Sequence, residues 1–191
     1  MNNVSNLSLF QPEIRLNRTF FPDRAFREAL CRLYGKQMGE VLTPEELAAT
    51  TRLDLSGLDI QTLRGIEHFT ALRELLCGSN RLSRLDVSGL PMLQVLVCEY
   101  NHLGRLDVRG CSALEVLDCR ANFLNTLDLS GNPALQELLC DHNLLTRLDL
   151  QANPFLVQVW CDYNRIRRLD VRANTRLQDL RNQRMGELCH A

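Results

Sequence analysis

Lysine is all but missing from this chain of 191 residues: Lys36 stands alone beside 21 arginines. With 23 acidic residues the formal net charge is -1, which excludes the broad basic field of a nucleic-acid-binding protein. No apolar run approaches the roughly 20 residues that cross a bilayer as a helix, so no membrane partner is expected. The opening stretch MNNVSNLSLFQPEIRLNRTF has no basic segment followed by an apolar one, which argues against a cleavable signal peptide. CxxC, GxSxG, HExxH and P-loop patterns are all missing, and His68, His102, His142 and His190 are scattered. Cys189 and His190 adjoin in the last three residues, where a frayed tail is a simpler reading than a nucleophile with its base. These absences predict a protein with no catalytic activity, no cofactor and no metal. They also predict synthesis in a reducing compartment: cytoplasmic, or secreted without a cleavable signal peptide as an effector.

What is present is a repeat. LCGSNRLSRLDVSGLPML, from Leu76 to Leu93, recurs as VCEYNHLGRLDVRGCSAL, DCRANFLNTLDLSGNPAL, LCDHNLLTRLDLQANPFL and WCDYNRIRRLDVRANTRL, each 21 residues after the last. Numbering each unit from Leu72, Leu93, Leu114, Leu135 and Leu156 gives LxxLxCxxNxLxxLDxxxxxx. Val159 and Ile166 are the departures at leucine positions 4 and 11. Thr50 to Ala71 fits a 22-residue variant, and Leu177 and Leu180 begin a further unit. This is a leucine-rich repeat, in which each unit gives one strand to a parallel sheet. The expected class is α/β: a leucine-rich-repeat solenoid, a curved horseshoe with the parallel β-sheet on its concave face and an α-helical N-terminal cap. The expected organisation is a loose leader over 1–20, the helical cap over 21–49, the repeats over 50–176, and a truncated last repeat with its tail over 177–191.

Side chains two apart on a strand share a face, so positions 4 and 6 point inward and positions 3, 5 and 7 outward. Cys77, Cys98, Cys119, Cys140 and Cys161 at position 6 are therefore expected in the core, packing as small hydrophobes. A straight row of thiols does not converge on a tetrahedral metal. Of the rest, Cys111 on the outer turn is the expected exposed thiol. Asn80, Asn101, Asn122, Asn143 and Asn164 at position 9 are expected to form a ladder that satisfies backbone groups where the chain leaves the strand. In the cap, Pro22 and Asp23 start a helix with apolar Phe26, Leu30 and Leu33 that Gly35 stops. Thr43, Pro44 and Glu46 start a second.

The row Asp86, Asp107, Asp128, Asp149 and Asp170 at position 15 would repel itself. Arg84, Arg105, Arg147 and Arg168 stand two residues earlier, on the same side of an extended segment, and predict an interleaved ion-pair network worth at most about 1 kcal/mol per pair. Calcium coils need GGxGxD units, which are absent. Arg165, Arg167, Arg168, Arg172, Arg176, Arg181 and Arg184 form a local basic excess that reads as a solvated end, since no aromatic run accompanies them.

The unit LxxLxCxxNxLxxLDVS at a 21-residue period resembles the internalin-type bacterial leucine-rich repeats, the internalin J subclass with its cysteine ladder above all. The likeness is strong over Leu72 to Arg176. It implies a protein-binding module that grips its partner with the concave sheet face, with no catalysis.

On that face position 5 reads Asp54, Leu76, Val97, Asp118, Leu139, Trp160 and Arg181, and position 8 at the strand exits adds Tyr100, His142 and Tyr163. Apolar anchors in a polar frame concentrate binding energy. The expected partner site is Val97, Tyr100, Asp118, Arg120, Leu139, His142, Trp160 and Tyr163. Glu99, Glu137, Asp141 and Asp162 frame it, which favours a protein partner with a basic or mixed surface. The protein is expected to be a monomer. Two alternatives stay open: a secreted bacterial effector that binds a host protein, and an intracellular structural or regulatory scaffold.

Overall fold

The computed structural model describes residues 13–184 and 187–188. Helix α1 (Arg24–Tyr34) starts where Asp23, with extended backbone, accepts the Phe26 N–H at 3.0 Å, and it ends at left-handed Gly35. Phe26 and Leu30 are buried, but Leu33 is exposed. Its expected place in the apolar stripe is taken by Tyr34, which packs on the core and hydrogen-bonds Thr50. Helix α2 (Pro44–Ala49) carries the expected capping box between Thr43 and Glu46. Lys36 ties the two helices together, pairing with Glu46 at 2.7 Å and donating to the Val41 carbonyl at 2.7 Å.

The loose leader expected to run to residue 20 does not extend that far. Strand β1 (Ile14–Arg15) pairs antiparallel with β2 (Val41–Leu42), and Leu16 is buried against the cap core with Phe21. The apolar side chains Ile14, Leu16 and Phe20 drive this stretch in; residues 1–12 lie outside the described residues. The cap is bonded to the first coil by Asp23, whose second carboxylate oxygen accepts the Gln61 and Thr62 N–H groups at 2.8 and 3.2 Å. Contact there is close enough to require glycine. A Cβ on Gly65, at φ +104, would lie 2.4 Å from the Phe21 ring.

From Arg52 onward each coil supplies a three-residue strand: β3 (Arg52–Asp54), β4 (Glu74–Leu76), β6 (Val95–Val97), β8 (Val116–Asp118), β9 (Glu137–Leu139), β10 (Gln158–Trp160) and β11 (Asp179–Arg181). They form one parallel sheet in coil order, with Leu75, Leu96, Leu117, Leu138, Val159 and Leu180 in one unshifted file. A two-stranded parallel ladder, β5 (Arg84–Asp86) with β7 (Arg105–Asp107), lies on the return side of the coils. A hairpin of β12 (Gln183–Arg184) and β13 (Glu187–Leu188) follows the last strand. The chain is thus the expected leucine-rich-repeat solenoid with a helical N-terminal cap.

The position-6 cysteines are buried and reduced between the leucine files. The asparagine ladder forms as expected. Asn101 donates to Cys77 O of the previous coil and to Cys98 O of its own, while its Oδ1 accepts the Leu82 N–H at 2.9 Å. A second asparagine file, not expected, runs through position 19. Asn132, Asn153 and Asn174 each donate to two carbonyls of the preceding coil. One coil earlier, Cys111 takes the same place and donates its thiol to Val87 O at 3.0 Å. The expectation that Cys111 is exposed is therefore wrong: it is a rung of this file, fully buried, and burial pushes its thiol up to about 12.

The aspartate row also differs. Each carboxylate turns forward, accepting the N–H two residues on: Ser88, Arg109, Ser130, Gln151 and Arg172. Asp107 and Asp170 pair with Arg109 and Arg172 rather than with the arginines before them. The turn that follows the segment swings repeat position 17 back over the carboxylate, whereas Arg84 and its equivalents stay on the straight part.

Candidate functional site

The site begins with a backbone constraint. The position-9 amide holds the carbonyls of positions 6 and 7, as Asn101 does for Cys98 and Glu99, so the chain must reverse between them at position 8. Ser79, Tyr100, Ala121, His142 and Tyr163 all sit there in the left-handed region, with φ between 51 and 55°. That conformation costs a residue other than glycine about 1 kcal/mol or more. It also tips the side chain outward at the sheet edge. Tyr100 is 66% exposed and Tyr163 47%, and Tyr163 lies over the His142 ring with centroids 4.3 Å apart. His142 Nδ1 is held by Asp141 at 2.8 Å. Two residues on, at position 10, His102 stacks with Phe123, which is 55% exposed. Phe123 and His102 were not among the expected site residues. Their signal was an aromatic pair at one repeat position, obscured by the variety at that position in the other coils.

The sheet face itself is strongly acidic. At positions 3, 5 and 7 it carries eight carboxylates (Asp54, Glu74, Glu99, Asp118, Glu137, Asp141, Asp162, Asp179) against three guanidiniums (Arg52, Arg120, Arg181). Glu74 is neutralised by Arg52, and Asp118 by Arg120 in a two-point pair of 2.9 and 2.7 Å. Asp118 is only 6% exposed, so it does not present the outward side chain expected of it; it holds Arg120 in place. Glu99 lies over the backbone of Gly78, where a Cβ would meet its carboxylate at 2.3 Å. Burial raises the proton affinity of Glu99 above the usual carboxylate range, with the nearby Asp118 adding to it. Glu99 Oε2 and Asp141 Oδ1 are closed to water and accept no hydrogen bond.

Trp160 is half-buried and has work inside the molecule. Its indole N–H donates to Asp179 at 2.8 Å, and the Arg181 guanidinium lies 3.9 Å from the ring centroid, with Arg120 at 5.9 Å. The expectation of Trp160 as a partner contact overlooked Asp179, one strand away. Val97 and Leu139 are half-buried on either side of Asp118 in the sheet. The structure therefore brings together Tyr100, Arg120, His142 and Tyr163 at the strand exits, with Val97, Leu139 and Trp160 behind them. Elsewhere, a groove of about 640 Å³ on the cap is lined by Ile14, Val41, Leu42, Leu47 and His68. Among the described residues no group of three His, Cys, Asp or Glu side chains is placed to hold a metal ion, and no helix is long and apolar enough to cross a membrane.

Comparison with known proteins agrees with this architecture. Internalin J of Listeria monocytogenes serotype 4b is 36% identical over 69 residues, 36% of this chain and 8% of that protein. The endo-beta-N-acetylglucosaminidase EndoS of Streptococcus pyogenes serotype M1 is 40% identical over 72 residues, 37% of this chain and 7% of the enzyme. The chain thus matches less than a tenth of either relative's length. Among solved structures, the functional domain of InlJ from Listeria monocytogenes, which includes a cysteine ladder, superposes with a TM-score of 0.63 at 28% identity, covering 91% of this chain and 48% of that one. The LRIM1/APL1C complex matches with a TM-score of 0.58 at 25% identity, over 63% of this chain and 24% of that one. Residues 21–152, more than half of the chain, match the family described as the endo-beta-N-acetylglucosaminidase EndoS LRR domain. The cap and its stack of cysteine-lined coils therefore belong to that family of leucine-rich-repeat domains.

Proposed function

We propose that the chain is a non-enzymatic protein-binding module that takes its partner along the sheet face and the strand exits, through Val97, Tyr100, Arg120, Leu139, His142 and Tyr163. The observation that carries this reading is the placing of exposed aromatic rings on strained left-handed backbone. A fold that needed only to turn there would be better served by glycine. The solved complex of LRIM1 with APL1C, on which 63% of this chain superposes, is in keeping with a protein as the partner. Asp118 and Trp160 act behind the contact surface, fixing Arg120 and Arg181.

Cross-linking followed by mass spectrometry identifies the partner. Tyr100→Ala and Tyr163→Ala should each weaken the captured complex by about 2 kcal/mol with the fold unchanged. Unaltered affinity in both would place the contact on another surface. We propose in addition that the protein is a monomer in solution, to be checked by light scattering, and that it acts in the cytoplasm or as an exported effector; residues 1–20 fused to a secretion reporter distinguish the two.

A further inference from the structure

We propose that the helical cap carries an anion site built for a phosphate monoester, in a cleft between the start of α1 and the loop before it that no repeat residue lines.

Arg27 and Asp118 are the two charged side chains buried among the described residues, each 6% exposed. A buried charge is costly unless an opposite charge meets it. Asp118 has Arg120. Arg27 has no such counter-charge: its Nη1 donates to the Phe21 and Pro22 carbonyls, the second at 2.8 Å, and no carboxylate among the described residues pairs with it. Its Nε and Nη2 find no partner in the chain, yet neither is sealed from water. What opens them is the cleft of about 520 Å³ that Arg27 lines. The Nε and Nη2 edge of a guanidinium is a two-point donor for an oxyanion.

Two more guanidiniums reach the same opening. Arg24 stands three residues before Arg27 and so shares its helix face, and Arg18 comes from the loop before the helix. The acids close by are engaged. Glu28 pairs with Arg24 at 2.7 Å, and Asp23 accepts from the Phe26, Gln61 and Thr62 N–H groups. Three guanidiniums against one lining carboxylate, Glu28, leave an excess of two positive charges in a chain whose net charge is -1.

That excess selects the ligand. A phosphate monoester carries close to two negative charges at neutral pH and offers three oxygens, enough for the Arg27 fork and for contacts from Arg18 and Arg24. A carboxylate brings half the charge and leaves guanidiniums unmet. Met38, 48% exposed, and the arginine stems put an apolar wall beside the donors, which suits the organic part of an ester better than inorganic phosphate. A free small ester and a phosphorylated side chain of another protein share this chemistry.

The test is calorimetric titration of the full chain with phenyl phosphate, beside phenyl sulfate, benzoate and inorganic phosphate. Phenyl phosphate should bind about tenfold tighter than each of the others. Arg18→Ala/Arg24→Ala, at two exposed positions, should weaken it about tenfold. Arg27→Lys, which keeps the charge and loses the fork, should do the same, with the fold verified by circular dichroism. Glu28→Gln frees Arg24 and removes the one lining acid, so it should tighten binding about threefold, a gain that a damaged fold does not produce. Absent binding of phenyl phosphate, equal binding of phenyl sulfate, or an affinity that neither the double variant nor Glu28→Gln moves overturns the proposal. A phosphotyrosine peptide separates the sources: tighter binding than phenyl phosphate assigns the site to a phosphorylated protein, and equal or weaker binding assigns it to a free ester.

Discussion

The carboxyl of Glu99 lies against Gly78 with one oxygen shut off from water and from any donor, and its burial has a sign in stability. The folded-state proton affinity is raised above the ordinary value of 4.5, so Glu99 favours the fold below that pH and loses this contribution as pH rises through the folded value. At neutral pH the ionised group is a burden. Glu99→Gln should therefore raise stability at pH 7 by about 0.5 kcal/mol, discounted for the partial exposure of the side chain. In thermal melts the gain should vanish near pH 4; a gain of equal size at both values would mean that the carboxyl is solvated. The buried cysteines work at the other end of the scale. Burial raises the thiols of Cys77, Cys98, Cys119 and Cys140 well above 9.0 and that of Cys161 to about 12. An unfolded chain ionises its thiols near 9.0, so stability should decline as pH rises from that value through the raised ones. The denaturation midpoint should thus fall between about pH 8 and about pH 10. Thiol counting in native buffer should label Cys31 and leave the other six described cysteines untouched until denaturant is added.

At the scale of the element, the two asparagine files divide the labour of turning. The position-9 file closes the exit from each strand and serves both its own coil and the one before; the position-19 file closes the return and serves the coil before. Asn143→Ala strips donors from Cys119 O and Cys140 O and an acceptor from Leu124 N–H, and should cost about 3 kcal/mol in chemical denaturation. Asn132→Cys should cost clearly less than Asn132→Ala, because Cys111 already fills that place with a thiol donor; equal losses would deny the thiol its bond. The position-9 file was legible from sequence because all five units share the residue at one offset. The position-19 file was not, since Leu90 and Cys111 stand where the later units have asparagine. The forward pairing of the aspartates escaped for another reason: residues two before and two after an extended position are equivalent until the turn is known. Trp160 was placed on the sheet face from its position, but its partner Asp179 belongs to the neighbouring coil, and period alone does not say which side chains lean across the gap. The caps of both helices were legible because a capping signal is local.

For the molecule as a whole, the cap is the covering of an otherwise open stack. Leu16, Phe21, Phe26 and Leu30 close the first coil, and Asp23 anchors them to its backbone. Deleting residues 1–49 should bare that apolar end and produce aggregation or a loss of several kcal/mol, read by sedimentation and melting. A soluble, equally stable remainder would show the coils to be self-sufficient. The unshifted file from Leu75 to Leu180 has a consequence for length. Because every coil offers its neighbour the same edge, excising residues 114–134 would set Val95 beside Glu137 and Leu96 beside Leu138, in the pairing that β8 now makes on both sides. The span between a feature on one coil and a feature on another is then a whole number of coil widths, which makes the protein a graduated ruler whose reach changes by one division at a time while each mark stays as it was.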